Sequence, residues 1–363
     1  SVTGGTTGGQ NGTVAVFDNT NPDDLNFDVG HSWRFEPGDG PFVYNEMTLT
    51  GTEGDVSAIG VETDLTAQTI HTEYATLTLS EGVTLTVDTL NIGNGTTINL
   101  GTTSVLNVTN FNVLGDFTYT GNLSVNVANM TVSADSTISA NGKGYAVGQG
   151  PGAGGLNGEA GSGGGHGGKG GDRSSVSGGA RYGSSLQPMT AGSGGNGTGN
   201  CVGGSGGGTL HLVVTDTLIV NGTLSANGAA GVSYYGSGGA GGSILIEAGT
   251  FSGTGTISAN GGNGGEYYGV HAGGGGGRIA IYCDTNFFGG TLSATGGTTG
   301  GQSGSIGVFD TSGSPMNFTA GHSWYFESGD GPLTLGAVTL DGTDTADYNA
   351  GLASTVYINS NVT

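Results

Sequence analysis

The chain has 363 residues, with 28 acidic and 6 basic side chains and a formal charge of −22. That surface repels nucleic acid and anionic membranes, and no apolar run reaches the ~18 residues a membrane helix needs. With 82 glycines, 34% hydrophobic and 9% charged residues, the chain lacks collagen's strict three-residue glycine period. It still has enough apolar side chains for a thin core, so full disorder is excluded too.

The chain repeats itself. Residues 3–12 (TGGTTGGQNG) return at 295–304 (TGGTTGGQSG), and Val16-Phe17-Asp18 returns as Val308-Phe309-Asp310. Residues 30–41 (GHSWRFEPGDGP) return at 321–332 (GHSWYFESGDGP). The offset is 292 residues, then 291 after one deletion. About one and a quarter copies of a long unit are therefore present, and the chain opens inside one. A piece of a longer periodic protein is the expectation, with no leader segment in it.

Residues 1–60 form a partial unit equivalent to 293–351, with a rung framed by Trp33/Trp324 and Phe35/Phe326. His31, Glu36 and Asp39, with their twins His322, Glu327 and Asp330, supply acids of the type that cleave glycosides. Strand alternation turns His31, Trp33 and Phe35 to one face and Glu36 away. A structural rung is therefore the preferred reading: no catalytic residue is assigned, and the chain is not expected to be an enzyme.

Residues 61–141 read as regular rungs. Leu85-Thr86-Val87 recurs as Leu106-Asn107-Val108 and Leu123-Ser124-Val125, at spacings of 21 and 17 residues. Polar turns separate the runs, as in a parallel β-helix. Residues 142–208 read as a Gly-rich loop extruded from the rungs. It holds 29 glycines in 67 residues and a charge of +2, against −24 elsewhere. It is expected to dock on an acidic surface of its own chain or a neighbour.

Residues 209–310 return to rungs. The motif T-[I/L]-S-A-[N/T]-G starts at Thr137, Thr223, Thr256 and Thr291. Alternating strands follow the Gly-rich corners: Leu210-His211-Leu212, Ile244-Leu245-Ile246, Ile279-Ala280-Ile281 and Ile306-Gly307-Val308. Tyr234-Tyr235 and Tyr267-Tyr268 occupy corresponding loops, where they can meet glycans or a neighbouring fibre; packing on their own rung is the alternative. Cys201 and Cys283 stand at equivalent junctions, so a disulfide and two buried thiols both remain open. The Gly runs are not phosphate loops, since no Gly-Lys-Ser/Thr follows. His166, His211 and His271 are too dispersed to nominate a metal site.

Residues 311–363 begin the next unit. Asp341, Asp344 and Asp347 are the candidate Ca²⁺ ligands, the one cofactor considered; solvated turn acids are the alternative, since Glu53 and Asp55 in the first copy break the spacing. Asn94, Asn107, Asn122, Asn129, Asn221 and Asn317 stand in N-x-S/T sequons and are the candidate glycosylation sites.

The alternation of TISANG with GGGGGRIAI resembles the right-handed parallel β-helix repeats of very large secreted microbial surface proteins, adhesins and fibres among them. The resemblance implies an extracellular, mainly structural protein: an all-β, elongated β-solenoid without significant helix. Its implied partner is itself, through axial and lateral contacts in a filament, stalk or cell-surface fibre. An adhesin that binds cell-surface or matrix glycans is the alternative, and a polysaccharide-cleaving β-helix enzyme is a more distant one.

Overall fold

The computed structural model describes residues 15–18, 25–38, 42–100, 104–119, 123–158, 160–197, 202–232, 236–265, 272–321, 324–326, 330, 332–340 and 356–358. Among these, 26 strands and no helix are found. The strands lie in one 13-stranded sheet, one 9-stranded sheet and two two-stranded sheets. Pairing is mostly parallel. The chain divides into two compact units: Ser1–Thr120 with Asn126–Ile138 and Val214–Gly222, and Gly121–Val125 with Ser139–Val213 and Thr223–Thr363.

In the first unit, nine-residue strands of the large sheet alternate along the chain with shorter strands of the second sheet. Leu65–Glu73, Thr84–Ile92 and Val105–Val113 pair in parallel, and so do Ser57–Val61, Ala75–Leu79 and Thr96–Leu100. The apolar positions stack in columns. Leu65, Leu85 and Leu106 are aligned, as are Ala67, Val87 and Val108, and Ile70, Leu90 and Phe111. Within Leu65–Glu73 the alternation slips once, with Gln68 and Thr69 both turned outward between buried Ala67 and Ile70. Outward polar residues stack as well: Asn112 Nδ2 donates to Asn91 Oδ1 at 2.9 Å, 21 residues away.

One sequence signature is displaced. Val127, not Val125, lies opposite Val108. Both valines are buried, at 8% and 4% exposed. A shift of two residues keeps a side chain on the same face of a strand, so the recurring Leu-x-Val text is compatible with either register.

In the second unit the strands that follow the Gly-rich corners are strands as expected. Ser243–Gly253 pairs in parallel with Arg278–Phe288, which pairs in parallel with Ser305–Asp310. Their first residues are buried on both faces. Four consecutive residues are buried at the start of Ser243–Gly253, and four at the start of Arg278–Phe288. Clean alternation is thus lost, as in a sheet covered on both sides.

The Gly-rich segment is part of that covering, which corrects the expectation of an extruded loop. Gly161, Gly163, Gly164, Gly165, Gly167 and Gly168 are buried. Three successive N–H groups serve three different neighbours: Gly163 donates to Gly171 O at 3.0 Å, Gly164 to Gly238 O at 3.0 Å and Gly165 to Gly152 O at 2.8 Å. The same rule runs through 273–277. Gly273 and Gly276 donate to Thr299 and Gln302, Gly274 and Gly277 to Gly262 and Ala259, and Gly275 to Gly164. Partners recurring at i and i+3 mark a three-residue turn, the repeat of a polyproline II chain. These runs are thus extended glycine chains bonded to one another in several directions. Glycine is needed because the chains touch backbone to backbone. A methyl group on Gly163 would strike Gly273 O, and one on Gly277 would strike Gly242 O.

Candidate functional site

The duplicated block is built twice in the same way. Ala15–Asp18 pairs antiparallel with Asn26–Val29, which pairs in parallel with Phe42–Thr50. Ser305–Asp310 pairs antiparallel with Met316–Ala320, which pairs in parallel with Leu335–Leu340. The aromatic frames correspond ring by ring. Phe17 and Phe27 have centroids 4.5 Å apart, and Phe309 and Phe318 4.6 Å. Phe17 and Trp33 are 5.7 Å apart, and Phe309 and Trp324 5.5 Å. Phe27 and Phe35 are 5.5 Å apart, and Phe318 and Phe326 5.7 Å.

The two frames differ in what covers them. Phe309 is 0% exposed and Trp324 0%, whereas Phe17 is 47% and Val16 61% exposed. The cover on Phe309 is Tyr282, from the neighbouring strand of the sheet, stacked at 4.4 Å and 7°. Leu335–Leu340 repeats the contrast. Its Val338 and Leu340 are 50% and 52% exposed, while their counterparts Met47 and Leu49 are 0% exposed beneath a paired strand, Leu65–Glu73.

The motif T-[I/L]-S-A-[N/T]-G is a ladder. Its strands Thr223–Ser225, Thr256–Ser258 and Thr291–Ser293 pair in parallel, which stacks Leu224, Ile257 and Leu292. The asparagine side chains tie the copies together. Asn141 Oδ1 accepts from Asn227 N at 2.6 Å, Asn227 Oδ1 from Asn260 N at 2.7 Å, and Asn260 Oδ1 from Thr295 N at 2.8 Å.

Beneath the glycine chains lies a buried polar cluster. Arg278, 0% exposed, donates from Nη2 to Tyr182 O at 2.9 Å and from Nη1 to Ser305 Oγ at 3.3 Å and to Ser185 Oγ. His166, also 0% exposed, sits 2.9 Å from Gly241 O through Nδ1 and 3.0 Å from Thr190 Oγ1 through Nε2. Burial, and then the Arg278 charge, push the His166 pKa down to about 3. The ring is thus neutral, and the carbonyl partner assigns its proton to Nδ1. Burying Arg278 is costly unless its donors are met, and the carbonyl and hydroxyls above meet them.

The expected docking of the basic segment takes a different form. Arg181 lies over the Tyr325 ring, 3.6 Å from its centroid, and Lys169 pairs within the segment with Asp172 at 2.7 Å. Ser184 donates to Asp330 at 2.7 Å and Tyr282 to Leu186 O at 2.8 Å.

Of the acids and histidines considered for catalysis, His31 is half-buried 4.0 Å from Asp55, Glu36 is exposed, and Asp39, His322 and Glu327 lie outside the described residues. Asp341, Asp344, Asp347, Tyr234, Tyr235, Tyr267, Tyr268, Cys201, His271 and Asn122 also lie outside them. Cys283 is a free buried thiol, pushed up to about 11 by burial and by Asp310 and Asp284. Asn94, Asn107, Asn221 and Asn317 are exposed; Asn317 accepts from Ala337 N at 2.8 Å. Asn129 is half-buried and donates to Asn110 at 3.3 Å. No group of three or more His, Cys, Asp or Glu that could hold a metal ion occurs among the described residues, and no helix there is long and apolar enough to cross a membrane. No protein-family model, curated protein or solved structure matches this chain.

Proposed function

We propose that the chain is a stretch of a structural, extracellular β-solenoid. Its ~291-residue units follow one another along an axis to form a filament, stalk or cell-surface fibre. The observation that carries this reading is the unequal cover of the two equivalent aromatic blocks. The face left open at Phe17 is the face that Tyr282 closes over Phe309. A preceding unit would supply the counterpart of Tyr282, and a following unit the strand that hides Val338 and Leu340. Exposed apolar surface at an edge strand is what axial continuation removes.

The winding of the solenoid is inferred from strands that alternate between two sheets while each pairs in parallel with its counterpart about one rung further on. Side-chain ladders such as Asn141–Asn227–Asn260 run with that pairing and hold successive rungs in register.

Electron microscopy of the native material at low concentration, without crosslinker, tests the proposal. The expected result is uniform filaments whose axial repeat equals one unit's rungs at ~4.8 Å per rung. Isolated short rods would overturn it.

A further inference from the structure

A cleft of about 720 Å³ opens within the second unit, where residues 183–187 of the Gly-rich segment meet the aromatic block. That volume lies in the range of small-molecule sites. Leu186, Leu245, Met316 and Leu333 supply its apolar walls, and Glu247 and Asp330 its charges. The polar groups are strongly one-sided. The Ser184 hydroxyl is spent on Asp330, and the Tyr282 hydroxyl on Leu186 O. The N–H groups of Leu186 and Gln187 both turn to Ser184 Oγ at 3.2 Å. Glu247 also faces His211 Nε2 at 3.1 Å. Burial, and then the Asp330 and Glu247 charges, hold the Tyr282 hydroxyl above the ordinary tyrosine range.

A wall that offers two carboxylates while the Ser184 and Tyr282 hydroxyls are committed matches a ligand that donates. The two carboxylates and the absence of lysine or arginine from the described lining match a cation. The aliphatic walls match an alkyl stem that buries its methylenes while its charged head meets carboxylate.

We propose that this cleft binds an alkylammonium ion, the head group and stem of a lysine side chain or of a free aliphatic amine, with the ammonium between Glu247 and Asp330.

Isothermal titration of the full chain at pH 8 with n-butylamine and with 1-butanol tests this. Butylamine should bind at least about tenfold more tightly than butanol, since charge-assisted bonds carry the difference. Glu247→Gln should weaken butylamine about tenfold, and so should Asp330→Asn, which keeps an amide oxygen for Ser184. Asp216→Asn, at an exposed carboxylate on the strand Thr209–Val220, should change nothing. Far-UV circular dichroism checks each variant; if Asp330→Asn fails to fold, exposed Glu247 carries the test. No butylamine binding, equal binding of butanol, or an equal loss in Asp216→Asn would overturn the proposal. A lysine-containing tripeptide that binds more tightly than butylamine would identify a protein-borne amine; the reverse order would identify a free one.

Discussion

Tyr282 lies flat on Phe309, with ring centroids 4.4 Å apart and planes 7° from parallel. The counterpart of Phe309 in the first block, Phe17, keeps its partners Phe27 and Trp33 yet stays 47% exposed. Truncation should therefore separate two residues that the sequence presents as equals. Phe309→Ala should cost the second unit about 3–5 kcal/mol, and Phe17→Ala should cost the first about 1 kcal/mol. Denaturant unfolding of each variant reads the difference; equal losses would mean that Tyr282 adds no cover.

Glycines of the second unit should divide sharply by what a methyl group would meet. Gly277→Ala drives a methyl into the Gly242 backbone, while Gly289→Ala points into open space. The first should abolish the cooperative unfolding transition of the second unit. The second should stay within about 0.5 kcal/mol of the parent. Thermal melts monitored by circular dichroism decide it.

The asparagine ladder should depend on an acceptor rather than an amide. Asn260 Oδ1 receives the Thr295 N–H at 2.8 Å and the Ser293 hydroxyl at 2.7 Å. Asn260→Ala leaves those donors without their acceptor and should cost about 1–3 kcal/mol. Asn260→Asp keeps the oxygen and should cost less than half as much in the same denaturant titration.

His166 should set the acid limit of the second unit. Its pKa is lowered to about 3 in the folded chain from 6.5. Between those values the unfolded chain binds a proton that the folded chain refuses. The histidine's contribution is thus fully present above pH 6.5 and is lost as pH falls toward 3, at up to about 1.4 kcal/mol per pH unit. Replacing His166 with Asn should flatten the pH dependence of unfolding across that window. An unchanged slope would assign the acid sensitivity to other groups.

Cys283 should be slow to react. Burial and two nearby carboxylates keep its thiol protonated at neutral pH. Peptide-level mass spectrometry after iodoacetamide treatment should show Cys283 unmodified in the folded chain and modified in denaturant.

Much of the strand pattern was legible because apolar residues recur at period two. Ile244, Ile246, Ile279 and Ile281 all fall on strands, as their alternation requires. The doubled aromatic block was legible because its text is nearly identical. The Gly-rich segment was misread because glycine has no side chain to show a period; its order resides in backbone hydrogen bonds with a period of three. The asparagine of TISANG was visible, but its role depends on a neighbour in the adjacent copy of the motif. The cleft was invisible for a similar reason: Glu247, Tyr282 and Asp330 share no spacing pattern and meet only through sheet register and the fold of residues 183–187.

The glycine chains impose an order of events on synthesis. Gly164 is bonded to Gly238 and Gly275, Ser185 lies against Ser305 across 120 residues, and Ser184 reaches Asp330 across 146. None of these partners exists when residues 142–208 leave the ribosome. Among the described residues the segment has no helix and one short antiparallel strand pair, Leu156–Asn157 with Ala160–Gly161, and contacts so distant in sequence form slowly. The bonds to Gly238, Gly275, Ser305 and Asp330 wait until those residues are made, while bonds within the segment, such as Gly163 to Gly171 and Gly165 to Gly152, need no later residue. A nascent chain would therefore pass through a stage in which this glycine layer is bonded within itself but not yet to the residues that follow it.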